Sequence, residues 1–256
     1  MLQLLKQEIY KLVHKTGTWI ALGVMFGVQI LIAILAKGVP DFLSASAAVS
    51  GNFMGSAVAL FIMIASAASI IAMEFQYGTI RQLLYRKYYR SQVFMSKIIV
   101  IVGQAICLWV IQFAFTLLLK VIMFPKVDLG QSIGHGQTLL SGMVRGSASE
   151  LLSAMMLLSI VVLLSTLFKS NAAAITTGYI GYFVIQIASS MLLLVIDRWE
   201  WVKWNPLTML LFGQQVAMPD LSQATHLSTG VMAGGSVVYT VIFAAIAYAF
   251  FRKRSV

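Results

Sequence analysis

Residues 53–73 read FMGSAVALFIMIASAASIIAM, twenty-one positions without a charged side chain, and residues 74–97 continue EFQYGTIRQLLYRKYYRSQVFMSK, rich in Arg and Lys. A helix needs about 20 apolar residues to cross a hydrocarbon core of about 30 Å, so the first run reads as one membrane span. The switch to basic residues is the pattern of a chain leaving the bilayer on its cytoplasmic side. Working outward from this pair, five more stretches are apolar and long enough: Trp19–Ala36, Ile98–Phe124, Leu151–Phe168, Ala172–Ile196 and Val231–Phe251. The expected fold is therefore an all-α membrane protein, with residues 1–256 forming one transmembrane domain of six spans.

Composition excludes most soluble readings. Of 256 residues, 60% are hydrophobic and 10% charged, whereas a soluble domain carries about a quarter charged residues. The formal charge of +10 follows the topology. Lys6, Lys11, Lys15, Arg81, Arg86, Lys87, Arg90, Lys97, Lys169, Arg252, Lys253 and Arg254 fall on one side, twelve in all. Lys37, Lys126, Arg145, Arg198 and Lys203 fall on the other, which is five. The excess of Lys and Arg marks the cytoplasmic face, so both termini are expected there and no nucleic-acid partner is. Sixteen residues of mixed charge precede the first apolar core, and no small-x-small site follows it cleanly. That pattern reads as a true span, not a signal peptide. The single cysteine, Cys107, lies in an apolar run and provides neither a disulfide framework nor a metal cluster.

Between the spans, residues 1–16 carry Leu2, Leu5, Ile9, Leu12 and Val13 at three- and four-residue steps. This is an amphipathic helix suited to the membrane interface. Residues 74–97 make a connector far longer than two adjacent spans require. Glu74 is its only carboxylate, Gly78 frees the backbone to turn, and Thr79 can cap a short helix through Leu84. Topology gains nothing from an acid at that point, so Glu74 is expected either in an ion pair with Arg81 or another basic residue of the chain, or in contact with a partner. On the opposite side, residues 197–230 hold Trp199, Trp201 and Trp204, an interfacial belt, and Leu207–Val216, apolar but too short to cross. The latter is a candidate re-entrant segment. Gly23 and Gly27, Ala65 to Ser69, Gly178 and Gly181, and Gly234 and Gly235 are small-residue faces for helix packing. Gln29, Gln104, Gln112 and Gln186 either bridge helices by hydrogen bonds or line a translocation path.

Absences narrow the chemistry. No Asp or Glu falls within the six apolar stretches, which weighs against an ion-coupled transporter. His14, His135 and His226 stand far apart, with no H-E-x-x-H pair. No G-x-x-x-x-G-K-[ST] loop is present, so the chain is not expected to be an enzyme and any ATP is bound elsewhere.

The run E-F-Q-Y-G-T-I-R-Q-L-L at 74–84, followed by Arg90 and Lys97, resembles the cytoplasmic loop of ABC-2 type ABC transporter permeases. The layout of an amphipathic first helix, six spans, cytoplasmic termini and a basic C-terminal stop is similar too. The motif covers about a dozen positions. Where the family often has Pro before the Arg, this chain has Tyr85-Arg86-Lys87-Tyr88-Tyr89. The resemblance implies that Glu74, Phe75, Tyr77, Gly78, Thr79, Ile80 and Arg81 belong to a coupling helix between spans two and three, with Phe75, Tyr77 and Ile80 supplying the packing. That helix would be seated in a separate ATPase. Two ATPase copies carrying ATP and Mg and a second permease, identical or paralogous, would complete an exporter in a bacterial cell membrane. The substrate class implied is a peptide, bacteriocin or antibiotic. Read without the resemblance, the residues also fit an ATP-independent transporter or channel, or an accessory or sensory membrane subunit.

Overall fold

Helix α1, Leu2–His14, meets α2, Thr16–Gly38, at a sharp joint where Lys15 is extended. Side chains lock the joint: the Thr18 hydroxyl donates to the Leu12 carbonyl at 2.8 Å and the Trp19 indole to that of Val13 at 2.7 Å. The structure, a computed structural model, describes residues 1–79, 88–133, 136–196 and 198–254. Its regular elements are helical, and among the described residues the only β pairing is an isolated bridge between Ser132 and Thr138.

Short helix α3, Ala45–Ser50, and a single 3-10 turn at Asn52–Met54 lead into α4, Gly55–Gln76. Then follow α5 at Arg90–Met123, α6 at Leu139–Ser165 and α7 at Asn171–Ile196. Three short helices come next, α8 at Pro206–Met209, α9 at Phe212–Ala217 and α10 at Leu221–Thr225, before α11 at Thr229–Lys253. Six helices, α2, α4, α5, α6, α7 and α11, are long and apolar enough to cross a membrane.

Two of these helices start two turns or more before their apolar stretches. At 34 residues, α5 is about 50 Å long against a core of about 30 Å, and its first turns carry Arg90 and Lys97 past the apolar part. Helix α6 begins at Leu139, where Thr138 and Ser141 cap each other reciprocally at 3.3 and 2.9 Å. This corrects the reading that no acid lies within a span: α6 takes in Glu150, and α4 continues through Glu74. A hydropathy window passes over residues 139–150 because Gly142, Arg145, Gly146 and Glu150 dilute them.

Helix α4 is central, with Ala59, Met63, Ile64, Ala67, Ala68, Ile71 and Ala72 all fully buried. Small side chains allow this: Gly178 of α7 approaches so closely that a Cβ there would lie 3.0 Å from Ile64. By contrast Gly23 and Gly27 on α2 face nothing within 4 Å. Helices α8 and α9 wedge between the far ends of the spans. Ser189 of α7 donates to the Leu207 carbonyl at 3.0 Å, and Ser236 of α11 to that of Met209 at 3.1 Å. Gly235 leaves room for Met209, whose sulfur would stand 2.5 Å from any Cβ at 235.

Candidate functional site

One end of the bundle gathers both chain termini, the end of α4 and the start of α5. Glu8 and Lys11 project from α1, Glu74 from the last turn of α4 and Lys97 from the second turn of α5. They close a ring of alternating charge. Lys97 reaches Glu8 at 3.2 Å and Glu74 at 3.1 Å, while Lys11 reaches Glu8 at 3.1 Å and Glu74 at 3.0 Å. Lys97 is 1% exposed and Glu8 5%, so neither charge could remain there without the other, given the cost of dehydrating an ion. Lys11 lies at the rim. Burial alone would lower the pKa of its ammonium, but Glu74 and Glu8 raise it above the ordinary value.

The ring explains which way α1 faces. Leu4 and Glu8 are buried, whereas Leu2, Ile9 and Val13 point outward at 44% exposure or more. In water that orientation would be inside out, but beside lipid it leaves an apolar face for the membrane and turns the carboxylate toward its partners.

Beyond the ring, Tyr77 caps α4, and Gly78 sits at φ +66°, a left-handed conformation in which a Cβ is disfavoured. The Thr79 hydroxyl then folds back to donate to the Glu74 carboxylate. Of the residues implied in coupling, Glu74 is therefore held inside the ring. Phe75 is half-buried, edge-on to Phe251 with the Arg254 guanidinium 3.7 Å over its ring. Tyr77 and Gly78 are exposed, and Ile80 and Arg81 lie outside the described residues. An aromatic and cationic seam holds this end together. Phe94 packs on Tyr248 and Phe251, Arg90 donates to the Arg252 and Arg254 carbonyls, and Arg254 to those of Thr166 and Phe168.

The four glutamines do not share one route. Gln29 and Gln112, both fully buried, meet toward the far end of the bundle. The Gln29 amide donates to the Asn52 carbonyl at 3.3 Å, to that of Gln112 at 3.1 Å and to the Thr116 hydroxyl at 3.0 Å. Gly55 makes room for this cluster, since a Cβ there would collide with Gln29 and lie 2.8 Å from Gln112 Oε1. Beside it Asn52, Phe53 and Met54 all adopt positive φ, strain of order 1–3 kcal/mol per residue. Burial of Phe53 against Phe124 and hydrogen bonds from Asn52 Nδ2 to Ser56 and Ser147 hold the turn. Gln104 instead accepts from Ser66 at 2.6 Å, joining α4 to α5, and Gln186 lines a separate cavity.

Glu8, Asn52 and Glu150 are not marked out by any motif in the sequence. Glu8 carried one signal, its three-residue spacing from Lys11 on a helix face. Among the described residues, no group of three His, Cys, Asp or Glu is placed to hold a metal ion.

Six apolar helices, buried ion pairs at one end and outward apolar side chains define a multi-pass membrane protein. The chain belongs to the family described as "Protein of unknown function (DUF2705)", whose profile matches residues 20–256 and so begins beyond α1. It is similar to "Uncharacterized membrane protein YdbK" of Bacillus subtilis (strain 168), 27% identical over 258 residues that cover 96% of this chain and 99% of that protein. It is also similar to "Uncharacterized protein YhcI" of the same organism, 28% identical over 203 residues that cover 74% of this chain and 62% of that protein.

Proposed function

We propose that this chain is the permease subunit of an ATP-driven exporter in a bacterial cell membrane, with both termini and residues 74–97 in the cytoplasm. The observation that carries the reading is the charge ring. Its members Glu74 and Lys97 stand at the two ends of the connecting segment, are joined at 3.1 Å, and are both tied to α1. A partner pushing on that segment would move α1, α4 and α5 as one body. Switching a gate from 1:99 to 99:1 takes about 5.5 kcal/mol, and breaking a buried pair costs about 3–5 kcal/mol. A single pair falls short of that figure, so the load is shared among the ring's four pairs and the packing around them. Tyr77, exposed just before the turn at Gly78, is the aromatic that meets the ATPase, since Phe75 is occupied within the bundle. ATP and Mg belong to two copies of that partner, and this chain catalyses nothing itself. A second permease, identical or paralogous, packs on the open glycine face of α2. The substrate is an apolar or amphipathic molecule such as a peptide, bacteriocin or antibiotic.

Co-purification in lipid nanodiscs with an ATPase encoded beside the gene tests the reading. Wild type is expected to retain the ATPase, and Tyr77→Ala with Gly78→Pro to lose it while remaining folded. If no ATPase binds wild type, the reading fails. A second reading, an ATP-independent transporter, is favoured by one observation, the carboxylate of Glu150 within α6. It predicts flux into liposomes containing this chain alone.

A further inference from the structure

At the far end of the bundle, α4, α5, α6, α7 and α9 enclose a cavity of about 300 Å³, within the size range of small-molecule sites. Leu60, Trp109, Leu157, Tyr182 and Leu210 give it apolar and aromatic walls, and Glu150 is its one charged side chain. Glu150 also borders a second cavity, of about 430 Å³, lined by residues one to two turns earlier on α6, so it is shared by the two spaces.

Two features set this carboxylate apart from Glu74. Among the described residues, no Lys, Arg or His lies within ion-pair distance of Glu150, although Glu74 and Glu8 each have two such partners. Its polar neighbour is the neutral Ser56 hydroxyl, itself steadied by Asn52 Nδ2 at 3.3 Å. The second feature is Trp109. It is 4% exposed, forms part of the cavity wall, and among the described residues its indole N–H has no hydrogen-bond partner. What the ring offers a ligand is its π face, which carries the negative end of the aromatic quadrupole.

We propose that this cavity binds an amphipathic cation: an ammonium or guanidinium head against Glu150, and an apolar body along Trp109, Tyr182 and the leucines. Ionised at this depth, Glu150 needs a counter-charge; Arg145, which lines the second cavity with it, stands beyond ion-pair distance, and among the described residues no other cationic side chain pairs with it. The aromatic walls favour a cation over a neutral molecule of the same shape. Identifying this ligand as the transported substrate rests on the exporter reading. The binding site itself does not.

The test uses the full chain alone in nanodiscs, with empty nanodiscs as reference and calorimetry as readout. The probes are 4-phenylbutylamine and its neutral counterpart 4-phenylbutan-1-ol. Wild type is expected to bind the amine at least about tenfold more tightly than the alcohol, a difference of about 1.4 kcal/mol. Glu150→Gln should erase that preference and leave alcohol binding unchanged. Leu157→Trp, filling the space, should abolish both, with folding checked by size exclusion and thermal unfolding. Competition by acetyl-Leu-Lys-amide would assign the cation to a peptide side chain, and its failure to compete to a free amine. The proposal is overturned if Glu150→Gln binds the amine as wild type does, or if wild type prefers neither probe. No ATPase is present, so these results stand apart from the outcome of the co-purification.

Discussion

Lys97 and Lys11 make the same two ion pairs, yet their environments differ: the side chain of Lys97 is 1% exposed and that of Lys11 54%. Truncating Lys97 leaves two buried carboxylates with only the half-exposed Lys11 as partner, so Lys97→Ala is expected to cost about 3–5 kcal/mol in reversible unfolding from detergent micelles. Lys11→Ala removes an exposed partner and should cost no more than about 1 kcal/mol. If the two variants unfold alike, the ring does not carry the load assigned to it. The folded pKa of Lys11 is raised from its ordinary 10.5. Its contribution is therefore fully present below pH 10.5 and is lost only as pH rises through the higher folded value. The Lys11→Ala difference should consequently hold constant from pH 6 to about pH 9, and a loss within that window would mean that another group titrates there. Residue identity left this network half legible. The odd placement of Glu74 is visible in sequence, but its partners come from positions 63 and 23 residues away, and only folding brings them within reach.

At the scale of elements, glycines separate close packing from open faces. Gly55→Ala drives a methyl group into the Gln29–Gln112 cluster and is expected to destabilise by about 1–3 kcal/mol. Gly103→Ala on α5, with nothing within 4 Å, should stay within about 0.5 kcal/mol of wild type. Thermal shift of the two variants in one lipid mixture checks the contrast, and equal shifts would overturn it. The apolar stretches at 19–36, 172–196 and 231–251 lie within α2, α7 and α11 because hydropathy alone suffices to define uninterrupted runs. The start of α6 was illegible for the opposite reason. Residues 139–150 mix glycine and charge, and they are helical through the Thr138 cap and contacts such as Asn52 to Ser147 at 3.0 Å.

For the whole molecule, the orientation proposed from charge is open to direct measurement. Cys107 is the only cysteine, so Cys107→Ser gives a clean background for single probes. A cysteine at Gln7 is expected to react with an impermeant maleimide only after inverted vesicles are prepared, and one at Ser222 only in intact cells. The reverse pattern would invert the proposed topology and remove the cytoplasmic segment from reach of any ATPase.

What the sequence determined by itself was the bilayer as solvent and six helices long and apolar enough to cross it, together with the charge bias behind the proposed orientation. These depend on summed hydropathy and on how basic residues divide between the two sides, quantities that do not require distant contacts. Tertiary structure alone decided which charges neutralise one another, which face of α1 turns inward, and that Glu150 borders two cavities with no cationic side chain at ion-pair distance among the described residues. Each of these depends on distances of a few ångströms between residues far apart in the chain, and pairing over that range decides whether a buried charge is structural or open to a ligand.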